Sequence, residues 1–298
     1  MENETSRVTG FQFFTLQPSI TTKMANITGQ VEVADILFAD DWNLERTMTF
    51  MHHWVPTSYK ITMAYLLVIF AGQKIMEKCQ AFDNYLMDLI LAVWNFGFSV
   101  FSGIAAYKLL PELFYSIKTT GFVGSYCNNL EYYTDPSTGY WGWMFVMSKF
   151  PELGDTLFLV LRKRPVIFMH WYHHALTFVY AQVTYNETQA WCRWSLALNL
   201  FVHTVMYFYF AVRALHWKTP RVVAKFITTI QIIQFVISCT IFSHLVYIKT
   251  FDTIPNCQAS WNVLGLGGLM YLSYLYLFAQ FFYNAYIAKS QKKTKKVE

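Results

Sequence analysis

VIFMHWYHHALTFVYAQV, residues 166–183, decides how the chain is read. The run is membrane-length and carries no Asp, Glu, Lys or Arg, yet it holds His170, His173 and His174. Imidazoles inside such a segment are costly and call for a reason. On a helix, positions i, i+3 and i+4 share one face, so the trio points to one place.

Apolar runs of similar length recur on both sides of it. The 298 residues are 55% hydrophobic, 19% aromatic and 14% charged, against about 25% charged in soluble domains. The chain therefore reads as an all-α polytopic membrane protein. About seven transmembrane helices are expected, near 58–75, 85–110, 140–161, 166–184, 191–214, 221–247 and 262–287. Three regions follow: a luminal N-terminal segment 1–57, a transmembrane domain 58–288, and a lysine-rich tail 289–298. The first 50 residues lack a compact apolar core of the signal-peptide kind, so the first span is expected to target the chain itself.

The net charge of +5 does not point to nucleic acid. Basic residues cluster in alternate turns: Lys74 and Lys78; Arg162-Lys163-Arg164; Lys218, Arg221 and Lys225; and the tail. The positive-inside rule assigns those turns to the cytosol, with the N-terminus in the lumen. Cys127 and Cys257 then share the oxidising side, and a disulfide between them is expected. Asn3 and Asn26 open luminal glycosylation sequons. Lys295-Lys296-Val297-Glu298 places two lysines where a cytosolic dilysine signal retrieves proteins to the endoplasmic reticulum.

Polar residues of four spans lie at one depth. At 1.5 Å per residue, His173 stands about 12 Å past Pro165. His203 stands about 15 Å before Arg213, and Glu152 about 15 Å before Arg162. Lys149, Glu152 and Asp155 recur at helical spacing, as do Asn199, His203 and Tyr207, and Thr228, Gln231 and Gln234. Such stripes also serve as glue between helices, a reading that fits Thr228 and Gln231 well. A histidine cluster beside Lys149, Glu152 and Asp155 is better explained by chemistry. Metal binding is one option, as in a membrane desaturase or hydroxylase. Di-iron sites need more histidines than the four, His170, His173, His174 and His203, that share this level; a single metal stays open. Nucleophilic catalysis is the other option, because neutral imidazole attacks thioesters. Arg162, Lys163 and Arg164 would meet phosphates at the mouth. A transport path is a third reading.

The residues also resemble a family. Lys149-Phe150-Pro151-Glu152-Leu153-Gly154-Asp155-Thr156 is similar to KxxExxDT, and His170 to His174 to HxxHH. Asn199 with His203 to Phe210 resembles NxxxHxxMYxYY, with Phe210 replacing a tyrosine, and Thr228, Gln231 and Gln234 fit TxxQxxQ. This is the pattern of the very-long-chain fatty acid elongases, the ELO family of 3-ketoacyl-CoA synthases. The resemblance implies that the second to seventh helices enclose an acyl tunnel. It implies condensation of long-chain acyl-CoA with malonyl-CoA to 3-ketoacyl-CoA, CoA and carbon dioxide, with no metal or other cofactor. His173 would take the acyl group and His203 assist, while His170 and His174 orient the box or move protons. Lys149, Glu152, Asp155, Asn199, Tyr207, Gln231 and Gln234 would position substrates. Endoplasmic reticulum lipids, the reductases and dehydratase of the elongation cycle and a second copy of the chain are the partners it suggests. The Trp171-Tyr172 filling of the box resembles the branch acting on saturated and monounsaturated chains.

Overall fold

The computed structural model describes residues 31–288. Asn3, Asn26, Lys295 and Lys296 lie outside the described residues. Within them every regular element is helical. The helices are α1 (Val33–Leu37), α2 (Leu44–Glu77), α3 (Tyr85–Cys127), α4 (Pro136–Ser148), α5 (Gly154–Leu161), α6 (Phe168–Asn186), α7 (Cys192–Ala214), α8 (Arg221–Phe251) and α9 (Trp261–Phe282). A 3-10 turn (Pro151–Leu153) separates α4 from α5, and a π-turn (Tyr283–Ala288) continues α9. Five helices, α2, α3, α7, α8 and α9 with its π-turn, are long and apolar enough to cross a membrane. The chain is a polytopic membrane protein.

Local chemistry sets the boundaries. Asn43 and Asn84 cap α2 and α3, each accepting a backbone N–H at 2.9 Å. Asp135 does the same for α4 with Pro136 as its first residue. Three boundaries differ from the sequence expectation. Helix α2 begins at Leu44, so the 57/58 division falls inside it. The second span, expected to end near residue 110, continues through Pro111 to Cys127 as α3. Apolar surroundings and neighbouring helices tolerate the lost N–H there. The expected third span is two helices, because Pro151 cannot continue the α4 ladder.

Helices α3 and α7 form the most extensive helix pair. Ser99, Ser102, Ala105 and Ala106 are buried on α3, and small side chains let backbones approach. Ser99 donates to the Thr204 carbonyl at 2.8 Å. Gly121 breaks α3 with φ 75 and ψ 174, a conformation that costs only glycine little. The last turn of α3 then carries Cys127 to Cys257, and the two sulfurs are bonded. Arg193 locks this end of the bundle. Its guanidinium is 1% exposed and donates to the carbonyls of Ser125, Asn128 and Asn129 at 2.6–2.7 Å, beside the Glu112 carboxylate at 2.9 Å.

At the opposite end three connections are tied together. Phe82 N–H donates to the Leu161 carbonyl at 3.0 Å. Asp83 pairs with Arg162 and, at 2.9 Å, with Arg164. Asp88 pairs with Arg162 at 2.9 Å and His216 at 2.8 Å. The Arg162 guanidinium holds the Asp83 carboxyl below the ordinary aspartate range.

Candidate active site

The break between α4 and α5 delivers the first charged group. Lys149 caps α4, and one turn later the 3-10 segment presents Glu152. Both are 3% exposed, and Lys149 Nζ lies 2.6 Å from Glu152 Oε1. Removing one partner of such a buried pair costs roughly 3–5 kcal/mol, because the other charge is left unpaired. Irregular backbone at membrane depth survives only where it is enclosed by protein or lines a cavity.

Lys149 also fixes the groups on α7. Its Nζ only donates, and it donates to Asn199 Oδ1 at 3.2 Å. The amide is thereby oriented, and Nδ2 faces His203 Nε2 at 3.2 Å. Nε2 must then accept, so the ring proton sits on Nδ1, which lies 3.8 Å from Glu152 Oε1. One lysine thus sets the amide, the imidazole tautomer and the carboxylate together.

Asp155, at the start of α5, is held from two further helices. Trp94 Nε1 on α3 donates to Oδ1 and the Tyr207 hydroxyl on α7 donates to Oδ2, both at 2.7 Å. His174 Nε2 on α6 lies 4.0 Å from the same Oδ2. Thr156 shares a 2.7 Å hydrogen bond with Tyr65 of α2. The His170 and His174 rings lie 4.5 Å apart and the His173 and His174 rings 5.5 Å. Tyr274 of α9 lies 4.8 Å from the His173 ring and donates to the His173 carbonyl at 3.2 Å.

A chamber of about 600 Å³ opens on these groups, within the range of small-molecule sites. His170, His173, His174, His203, Asp155, Asn199, Tyr207, Gln231 and Gln234 all line it. Arg162 and Arg164 line it at the end where the three connections are tied, whereas Lys163 is exposed and does not. Lys149 and Glu152 lie behind the wall. A second, narrow space of about 70 Å³ shares His173, Asn199, Gln234 and Phe235 with the chamber. It follows α6 through Thr177, Tyr180 and Ala181 to Tyr185, and ends among the buried Tyr132, Tyr133 and Trp191. Of the four histidines, only His173 lines both spaces. Among the described residues no three His, Cys, Asp or Glu side chains converge as metal ligands do.

Sequence reasoning missed Trp94 and Tyr274, and it used Arg213, which also lines the chamber, only to mark the depth of His203. The one signal was Trp94 itself, since a buried indole N–H needs a partner.

Comparison with known proteins adds a family. The family model ELO, described as the GNS1/SUR4 family, matches residues 49–294. Long chain fatty acid elongase 2 of Caenorhabditis elegans is 69% identical over 258 residues, covering 86% of this chain and 93% of the relative. Long chain fatty acid elongase 1 of the same animal is 40% identical over 231 residues, 78% of each chain. Very long chain fatty acid elongase 6 of Homo sapiens is 35% identical over 258 residues, 87% of this chain and 95% of the relative.

Proposed function

The chain belongs to the ELO (GNS1/SUR4) family, and from that premise we propose that it is the condensing enzyme of fatty acid elongation in the endoplasmic reticulum membrane. It joins a long-chain acyl-CoA to malonyl-CoA and releases 3-ketoacyl-CoA, CoA and carbon dioxide. The observation that carries this reading is the position of His173, where the chamber meets the narrow space. A nucleophile there reaches a thioester whose bulky head fills the chamber and whose alkyl tail fills the passage.

The His173 imidazole attacks the thioester carbon. The carbon–sulfur bond breaks, an acyl-imidazole forms, and CoA leaves as the thiol with the imidazole proton. Malonyl-CoA then loses carbon dioxide, and its C2 carbanion attacks the acyl carbon. The carbon–carbon bond forms, the acyl carbon–nitrogen bond breaks, and the leaving imidazole takes up one proton from water through His203, which restores neutral His173. Asn199, held by Lys149, keeps His203 in one tautomer as proton carrier beside Glu152. Asp155, 4.0 Å from His174 Nε2, favours positive charge on that ring when it carries a proton. No metal takes part.

In this reading the α4–α5 segment and α6 complete seven spans, and the second to seventh enclose the acyl tunnel. The end bearing Arg162 and Arg164 faces the cytosol and the disulfide faces the lumen. The reductases and dehydratase of the cycle take the product onward. The test is purified protein incubated with a panel of acyl-CoAs, with and without malonyl-CoA, and mass spectra of product and protein. The expected result is a 3-ketoacyl-CoA two carbons longer, plus an acylated protein when malonyl-CoA is withheld. An acyl adduct that persists in His173→Ala overturns the nucleophile. Stoichiometric iron with an oxygen-dependent product of unchanged length overturns the reaction class.

A further inference from the structure

Three guanidinium groups line the chamber at its cytosolic end in this reading: Arg162, Arg164 and Arg213. Their surroundings are unequal. Arg162 donates through Nε to Asp83 at 2.9 Å and lies 2.9 Å from Asp88. Arg164 reaches the second Asp83 oxygen at 2.9 Å. Two arginines thus face two carboxylates, and this wall carries no net charge from the four groups. Arg213, on the last turn of α7, is exposed and pairs with no carboxylate among the described residues. The one hydrogen bond of its guanidinium among the described residues is a 3.3 Å donation to the Trp217 carbonyl.

We infer that Arg213 binds the pyrophosphate of the CoA thioesters, an assignment that rests on the function proposed above. A guanidinium fork matches two phosphate oxygens, and an uncommitted one has no carboxylate to displace. The reach agrees. Arg213 lies ten residues beyond His203 on one helix, about 15 Å along its axis. The pantetheine arm has about 13 bonds from sulfur to the first phosphorus. At the roughly 1.2 Å per bond of an extended chain it spans about 16 Å. A thioester at the histidines therefore brings its pyrophosphate to Arg213. Asp83 and Asp88 hold the turn of Arg162 and Arg164 in place at the same mouth.

The test uses full-length protein in detergent and three thioesters of one acyl chain: CoA, dephospho-CoA and pantetheine. Arg213→Gln is expected to raise KM about tenfold or more for the first two. It should leave kcat at saturation, and all turnover of the pantetheine thioester, at wild-type values. Arg213→Lys should recover part of the loss. A defect with the CoA thioester alone moves the contact to the 3′-phosphate and overturns the assignment. An equal defect with the pantetheine thioester makes Arg213 structural and also overturns it, as does a larger KM rise in Arg164→Gln. Wild-type protein that turns over none of the three removes the elongase reading, and this assignment with it.

Discussion

Ala181→Leu should shorten the chains the protein extends. Ala181 lines the narrow space eight residues beyond His173 on α6, about 12 Å along the helix. At roughly 1.2 Å per bond, a chain whose reacting carbon sits at His173 passes Ala181 near its tenth bond. The passage reaches the level of Tyr185, twelve residues beyond His173, or about 18 Å. An extended chain of that depth has about 15 bonds, or about sixteen carbons, and lining side chains part to admit it. The space is only about 70 Å³, so three added carbon atoms close it at Ala181. A sixteen-carbon chain then loses the burial of about five methylenes, at about 0.8 kcal/mol each. The sum, about 4 kcal/mol, is a shift of about a thousandfold in preference between sixteen- and ten-carbon substrates. The assay is competition between decanoyl- and palmitoyl-CoA with malonyl-CoA, with the two 3-ketoacyl products counted by mass spectrometry. Gel filtration and thermal melting establish that the variant is folded. A folded variant with an unchanged product ratio refutes the placement of the tail along α6.

Trp94→Phe removes the donor to Asp155 Oδ1 and keeps an aromatic ring against Gly154. Hydrogen bonds to charged groups contribute about 1.5–3 kcal/mol, so kcat should fall about tenfold to a hundredfold with KM little changed; a change confined to KM would contradict a positioning role. The Cys127–Cys257 bond closes a loop with a sequence separation of 130, for which chain entropy gives about 5 kcal/mol. Cys127→Ser should lower the melting midpoint in detergent, and reductant should lower the wild type to match it. Asp83 has its folded pKa depressed by Arg162, so its stabilising effect is present above the ordinary value of 3.8 and is lost as pH falls below it. The melting advantage of wild type over Asp83→Asn should therefore fade on acidification below pH 4 and hold constant above pH 5.

The helix faces were legible because polar residues at i, i+3 and i+4 stand out in apolar sequence. Spacing alone groups Lys149, Glu152 and Asp155, and likewise Asn199, His203 and Tyr207; the structure brings Asp155, Asn199, His203 and Tyr207 to one chamber and sets the Lys149–Glu152 pair behind its wall, joined to it through Asn199. What escaped is what depends on distant sequence. The Arg162-Lys163-Arg164 turn reads as a bare cationic cluster. Its neutralising carboxylates sit about eighty residues earlier, on another connection. Trp94 reads as one more apolar-face aromatic on α3. Its indole N–H is aimed at a carboxylate that only the fold supplies. The break at Pro151 was hidden by apolar residues on both sides, which count alike whether or not the helix is continuous.

The narrow space has a floor. Tyr132, Tyr133 and Trp191 are buried beneath it, and the disulfide-tied end of the bundle lies beyond them. A flexible chain in such a dead-end corridor moves in single file: its methyl end goes in first and comes out last. Substrate and product then share one doorway, and a new chain waits until the old one has backed out. In the proposed condensation, the spent CoA and the incoming malonyl-CoA change places at the doorway while the tail stays parked. Kinetics would register this as a substituted-enzyme pattern, with parallel lines in double-reciprocal plots and product that competes with the acyl donor.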